Sequence, residues 1–384
     1  MPFVILLVAL GIFVPDLYIW NTFVKGGRVV WTVIYWIPSV MFLVLSGCAM
    51  LWKRFDAGVM NIFTALLLGV ALPKAVFALV AWLGDSSSSF FPLARPLGFY
   101  SALALAVFVM TLSFYGLFFG WKIITIKKID LYFDGLPREF DGYKIAQITD
   151  FHIGTYLKSA DSVGRIVDSL NALRADVVAF TGDLVNLSPS EVRLFLPVLS
   201  DIKARDGVLS ILGNHDYCGY VKYSSPDGRA NAQADLERLE RRAGWRLLKN
   251  EHVVVERGGS RIAFVGVEND GRPPFPARAD LKKAMDGLPD GIFTVLLSHD
   301  PTHWRRNVLP ETDIPLMLAG HTHGMQFQIG RFSPSKFVYP EWGGLYREGS
   351  RMLYVSTGVG SNLTFRFGVW PEIVLITLHP HKAG

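Results

Sequence analysis

Four long apolar stretches at the front of the chain constrain its fold more than anything else. Residues 3–23, 29–51, 59–83 and 99–121 are each apolar for roughly the 20 residues that a bilayer core requires. The short polar breaks "KGGR", "WKRFDAG" and "DSSSSFFPLARPLG" separate them. Only nine of the chain's 38 basic and 33 acidic residues precede Lys122, and all nine histidines follow Trp121. Folded as four core helices of a soluble domain, this region would have too few polar residues to cover its outside. The expectation is a membrane domain of four transmembrane helices over residues 1–121. Trp20, Trp31, Trp52, Trp82, Tyr100 and Trp121 fall near the span ends, as an aromatic belt would. A cleaved signal peptide is not expected, because the start lacks a basic n-region and three more spans follow.

Two charges interrupt this apolar region at depth. Asp16 and Lys74 each follow a proline, Pro15 and Pro73, in the first and third spans. Those spans run in the same direction, and at about 1.5 Å per residue the two side chains sit at nearly the same depth. A charge at the bilayer centre costs roughly 2.5–3.5 kcal/mol on insertion scales, so it seeks a partner, water or an interface. Either the two pair, or each snorkels separately.

The back of the chain has a different character. It carries 32 basic and 30 acidic residues, a balance that gives no reason to expect nucleic acid. Cys48 and Cys218 lie in different regions and predict no disulfide. Eight apolar runs read as strands: 143–149, 176–181, 207–212, 261–267, 292–298, 314–319, 352–357 and 372–378. Amphipathic spacing at 161–173, 190–202, 231–243 and 279–287 reads as helix, with Asp161 and Ser190 as N-caps. The alternation predicts an α/β domain with a second sheet over 141–384, joined to the membrane domain by a short linker, 122–140.

Five of these strands end in residues of one chemical kind. Asp150-Phe151-His152 comes after the first, Gly182-Asp183-Leu184-Val185-Asn186 after the second and Gly213-Asn214-His215-Asp216 after the third. His299 comes after "IFTVLLS", and "GHTHG" after "IPLMLA". Ligands of open α/β sheets bind at the carboxyl ends of strands. Two Asp, one Asn and four His without a thiolate suit Mn, Fe, Zn or Co. Seven donors exceed one site that must stay open, which points to two divalent ions, a pair suited to in-line displacement at phosphorus.

These motifs resemble the calcineurin-like metallophosphoesterases, whose D-x-H, G-D-x-x-D/N, G-N-H-D/E, lone His and G-H-x-H occur here in order. The resemblance implies a two-sheet sandwich flanked by helices, and two divalent metal ions with manganese favoured. It implies that Asp150, His152, Asp183 and His323 hold one metal and that Asp183, Asn214, His299 and His321 hold the other. His215 would be the catalytic proton donor or transition-state stabiliser, and Asn186 would orient it. Met325 stands where many relatives carry a second glycine. Gly358 and Gly360 in "STGVGSNLTFRFGVWPEI" would approach the site, and Arg366 is either a substrate contact or part of a structural ion pair. His252, His303, His379 and His381 match no motif and are expected at the surface.

Relatives acting on lipid-linked or envelope substrates, such as UDP-2,3-diacylglucosamine pyrophosphatases, direct the substrate reading. The chain resembles a bacterial membrane-anchored phosphohydrolase that cleaves a phosphodiester or pyrophosphate, with the bilayer as its surroundings and no inferable protein partner. A phosphodiesterase for soluble substrates such as cyclic nucleotides is the enzymatic alternative, and a membrane scaffold the non-enzymatic one. Intact ligands speak against the scaffold. Lys53, Arg54, Lys122, Lys127 and Lys128 outnumber Lys25, Arg28 and Arg95 across the spans, which predicts a cytoplasmic catalytic domain on an inner membrane. About twenty residues of tether would keep the site near the bilayer. The aromatic segment 331–346 would cover the pocket, touch lipid or form a packed hairpin.

Overall fold

The computed structural model describes the backbone of residues 2–52, 57–157 and 159–381, and the side chains of 10–47, 58–157 and 159–381. Two compact units emerge. One is Met1–Gly120 with Leu363–Phe367, and the other is Trp121–Asn362 with Gly368–Gly384.

The first unit is helical: α1 (Pro2–Ile19), α2 (Val29–Trp52), α3 (Ala57–Leu66), α4 (Leu72–Ser87) and α5 (Ala94–Phe118). Among the described residues, three helices are long and apolar enough to cross a membrane: Val29–Gly47, Gly58–Ser87 and Ala94–Lys122. The first expected span falls on the apolar helix Leu10–Val24 among the described residues, so three of the four expected spans are candidates there. α3 runs into α4 through a π-turn at Leu67–Ala71, and another π-turn, Trp20–Val24, extends α1. Such bulges commonly re-aim side chains inside helices. Here they flank a buried polar cluster. Lys74 Nζ lies 2.9 Å from Asp16 Oδ1, and Asp16 is fully buried. Tyr35 donates to the Asp16 carbonyl (2.8 Å), and Ser39 Oγ donates to the Asp16 carboxylate. Of the two readings left open for these charges, pairing is the one observed.

The second unit is a sandwich of two six-stranded sheets. The first has the order β1-β12-β2-β3-β4-β5. Its strands are β1 (Thr125–Phe133), β2 (Tyr143–Ile148), β3 (Val177–Phe180), β4 (Val208–Ser210), β5 (Arg246–Leu247) and β12 (Glu372–Pro380). The second has the order β10-β11-β9-β8-β7-β6. It comprises β6 (Glu251–Arg257), β7 (Ser260–Gly266), β8 (Phe293–Leu297), β9 (Leu316–Ala319), β10 (Gly344–Glu348) and β11 (Arg351–Val355). β2 through β5 are parallel, as are β7, β8, β9 and β11.

Alternation along the strands explains why they read as apolar runs rather than as an in–out pattern. Ile145, Val177 and Leu209 face Phe264, Val295 and Leu318 between the sheets. Their neighbours Ala146, Val178 and Phe180 pack outward on Ile166 and Leu170 of α6 (Ala160–Ala172). Leu296, Met317 and Leu353 pack outward from the second sheet on Trp304 and Val308. Both faces of the central strands are therefore buried, which requires continuous apolar sequence.

Several expectations need correction. Residues 122–140, read as a linker, contain β1, which pairs parallel to β12, so the tether beyond Trp121 is a few residues rather than about twenty. Helix 190–202 breaks into Ser190–Arg193 and Leu196–Ser200, the second with proline in its first turn. Asp161 and Ser190 lie inside their first turns, with Ser159 and Pro189 at the caps. His303 is buried rather than at the surface, and its Nδ1 sits 2.9 Å from Ser298 Oγ.

Candidate metal centre

The site lies where the parallel strands of both sheets end. Asp150 and His152 follow β2, Asp183 follows β3, Asn214 and His215 follow β4, His299 follows β8, and His321 and His323 follow β9. Five of these residues, Asp150, His152, Asp183, His321 and His323, have left-handed φ between 44° and 74°. That conformation is uncommon for a side chain with a Cβ, and its concentration here marks a functional site. The loops also approach very closely. A Cβ on Gly213 would collide with the Asp183 carboxylate, and one on Gly358 would lie 2.6 Å from the Asp150 Cβ.

The donors form two groups. Asp150, His152 and His323 converge in one, and Asp183, His299 and His321 in the other. Asp183 also converges with His152 and His215, so it stands between the groups. His323 Nε2 is 3.4 Å from Asp150 Oδ1, His152 Nε2 is 3.6 Å from Asp183 Oδ2, and His299 Nε2 is 3.2 Å from the same Oδ2. Neighbours fix the rings. His299 Nδ1 donates to the Thr181 carbonyl (2.7 Å), so Nε2 faces Asp183. His321 Nε2 meets the Tyr339 hydroxyl (3.0 Å), which leaves Nδ1 as its free donor atom. Partners on the far ring nitrogen are the usual support for metal-binding imidazoles.

These residues fit a divalent pair. Asn214 Oδ1 is buried without a hydrogen bond, while its Nδ2 donates to Tyr220 (2.9 Å). A buried orphan acceptor is costly unless something else satisfies it. Electrostatics agree. Burial favours neutral His299, yet Asp183 and Asp150 beside it hold its imidazole up at about 10. Burial also raises the Asp150 carboxyl, to about 6, with Asp183 adding to the effect. Two carboxylates in one dry pocket call for positive charge.

His215 is half-buried beside His152 and Asp183. Its Nδ1 lies 2.6 Å from the Asn186 backbone carbonyl. A carbonyl only accepts, so Nδ1 carries a proton and Nε2 is the second nitrogen of the ring left to other partners. The expected side-chain orienting role of Asn186 is thus performed by its main chain. Its side-chain Nδ2 instead donates to Thr155 Oγ1 and Asn362 Oδ1, both at 3.0 Å. Asn362 Nδ2 is 3.2 Å from His215 Nε2.

Sequence reasoning missed three supports of this site. Asn362 is one. Asp216 is another: its carboxylate accepts the N–H groups of Asp183 (2.7 Å), Leu184 (2.8 Å), Val185 (3.2 Å) and Gly213 (2.9 Å), stitching two ligand loops together. Glu191 similarly accepts from Asn186, Leu187 and Ser188. A carboxylate ending a metal-ligand motif, or one following a turn by a few residues, is the signal for such stitches. Arg366 groups with the helical unit and is fully buried, and its backbone N–H donates to the Gly116 carbonyl (3.2 Å).

Comparison with known proteins agrees with the geometry. The family model of the calcineurin-like phosphoesterases matches residues 143–325, which span every donor named above. A Bacillus subtilis metallophosphoesterase, YkuE, is 31% identical over 255 residues, covering 63% of this chain and 81% of its own. The chain belongs to the calcineurin-like phosphoesterase family. It is a hydrolase of phosphoric esters, with divalent metal ions implied by the fold and its ligand groups. A Helicobacter pylori metallophosphoesterase (strain J99) is 30% identical over 75% of this chain and 73% of its own. A zebrafish transmembrane protein with a metallophosphoesterase domain is 29% identical over 72% of this chain and 62% of its own. Relatives so described and the three apolar helices together point to membrane association. Among solved structures, a zebrafish dimetal phosphatase superposes with a TM-score of 0.35 at 15% identity, over 57% of this chain and 88% of its own.

Proposed function

We propose that the chain is a membrane-anchored, binuclear metal-dependent phosphohydrolase that cleaves a phosphodiester or pyrophosphate in a lipid-linked substrate. The observation that carries this reading is the pair of ligand groups with Asp183 standing between them and His215 beside it. Asp150, His152, Asp183 and His323 would hold one ion, and Asp183, Asn214, His299 and His321 the other. Bound there, two divalent ions would supply Lewis acidity at phosphorus and acidify water.

The chain's own groups do the rest. The Asn186 carbonyl holds the Nδ1 proton of His215, so the second proton of its imidazolium form, on Nε2, is the one given to the leaving oxygen, which returns the ring to neutral. Asn362 contacts the same Nε2 and sets the ring's position in the neutral state. Tyr220 stacks on His215 with centroids 4.3 Å apart, and Phe275 meets His321 edge-on at 4.8 Å. These rings exclude water from one side of the donors.

The apolar helices favour a substrate that shares the bilayer, because a tether of a few residues raises the local concentration of anything in that membrane. Turnover by the full chain in nanodiscs tests the reading. Hydrolysis of bis-p-nitrophenyl phosphate should require Mn²⁺, and a lipid pyrophosphate in the same nanodiscs should have the higher kcat/KM. A soluble cyclic nucleotide with the higher kcat/KM would reject the lipid-linked part and keep the phosphohydrolase. No metal-dependent turnover of any of the three would reject both.

A further inference from the structure

The second unit exposes its large apolar side chains unevenly. Twelve are exposed, and six of them lie between residues 325 and 345. Phe337 is 75% exposed, Ile329 56%, Val338 54%, Phe332 42% and Met325 41%. The others are scattered singly, which is normal for a protein surface. A concentrated patch needs an occupant.

This patch is held rigidly. Ile329 and Phe332 exchange N–H···O bonds of 2.9 and 3.0 Å around Gly330 and Arg331, with Gly330 at φ +57°. Ser333 Oγ donates to the Gly324 carbonyl (2.7 Å), and Pro334–Phe337 form a 3₁₀ turn closed by Val338 N–H to Ser335 O (3.0 Å). The hairpin thus satisfies much of its own backbone while turning its aromatic rings outward. An intrusion into an apolar medium must do both.

The charge pattern selects the medium. No Asp or Glu occurs between Asp313 and Glu341, whereas Arg331 and Lys336 sit at the tip. Lys336 Nζ lies 4.8 Å from the Phe332 ring centre and 5.1 Å from that of Phe337. Ammonium groups on apolar stems beside aromatic rings are the composition of a membrane interface, with the rings in the acyl boundary and the cations among headgroup phosphates. A second copy of the chain would offer no such match, since the same patch brings only like charge.

We propose that the 325–338 hairpin docks on the headgroup–acyl boundary of an anionic bilayer. This holds whether or not the substrate is itself a lipid. Docking would bear on the metal centre directly. Tyr339, whose N–H bonds Ser335 O (2.8 Å), presents its hydroxyl to His321 Nε2, and Thr322 Oγ1 donates to the Trp342 carbonyl (2.5 Å).

The test uses the full chain in nanodiscs, with Cys48 and Cys218 replaced and a nitrobenzoxadiazole label on Phe337→Cys. A second preparation carries the label on Leu194→Cys, an exposed site outside the hairpin. Nitroxide-bearing lipids in an anionic nanodisc should blue-shift and quench the label at 337 and leave that at 194 unchanged. Lys336→Glu should weaken the docking equilibrium by roughly 25-fold, about fivefold for each of the two units of charge changed. Equal water exposure of both labels, without quenching, would overturn the proposal. So would a blue shift that is unquenched and grows with protein density, because a second copy would then cover the face. The readout does not depend on turnover, so a failed substrate reading leaves it intact.

Discussion

His215 Nδ1 and the backbone carbonyl of Asn186 are 2.6 Å apart, a contact that engages Nδ1 and leaves Nε2 for the side of Asn362. Because the main chain orients the ring, the identity of side chain 186 is secondary. His215→Ala should lower kcat by about 10²–10⁴-fold while both metals remain bound. Asn186→Ala removes neutral hydrogen bonds worth about 1 kcal/mol each, so it should cost roughly fivefold to thirtyfold. Steady-state rates with bis-p-nitrophenyl phosphate separate the two. Equal losses would return the orienting role to the Asn186 side chain.

The Asp16–Lys74 pair makes a prediction about assembly. Asp16, Ser39 and Lys74 each follow a proline, in α1, α2 and α4, and each proline removes one helical N–H donor. Breaking a buried pair leaves an uncompensated charge, which is strongly destabilising. Asp16→Lys and Lys74→Asp should each lower the yield of folded protein extracted from membranes, and the double swap should restore much of it. A double variant no better than the worse single variant would show that the contact carries no stability.

Glu240 gives the second unit a pH dependence. It is fully buried and accepts from Ser210 Oγ (2.6 Å), and burial, then the charge of Asp216, pushes its carboxyl up to about 8. The unfolded chain titrates near 4.5. Below that value both states are protonated. Between it and about 8 the unfolded state binds fewer protons, so stability falls as pH rises, by at most about 1.4 kcal/mol per unit. Glu240→Gln should therefore gain on the wild type from pH 5 to pH 8 in thermal melts of the full chain. Parallel curves would show that Glu240 is ionised in the folded protein.

Orientation is set by the basic residues flanking the spans. An alkaline phosphatase fused at Gly384 should be inactive, and a fluorescent protein there bright. The reverse pattern would place the phosphoesterase unit on the envelope side and change its substrate pool.

Much of this was legible in the sequence, for a physical reason. Strands buried on both faces must be continuous apolar runs, so all eight such runs were readable, and the donors at their ends came with them. Edge strands obey no such rule. β1, "TIKKIDLYF", exposes Lys127 and Lys128, and β10 exposes Leu345, Arg347 and Glu348, so neither has an apolar run to notice. β5 is two residues long. Asp216 and Asn362 were missed because their partners meet only in the fold: four backbone N–H groups for Asp216, and the side chains of Asn186 and His215 for Asn362. Met325 was visible as a departure from glycine, and its φ of +45° explains why glycine is at home there.

Metal stoichiometry tests the central claim most directly. The full chain, stripped with chelator, reloaded with Mn²⁺ and freed of excess, should hold two ions per chain by elemental analysis. Asp183→Asn should hold fewer than one and lose hydrolysis, because Asp183 converges with His152 of one ligand group as well as with His299 and His321 of the other. One ion per wild-type chain, or two ions and undiminished turnover in Asp183→Asn, would contradict the account.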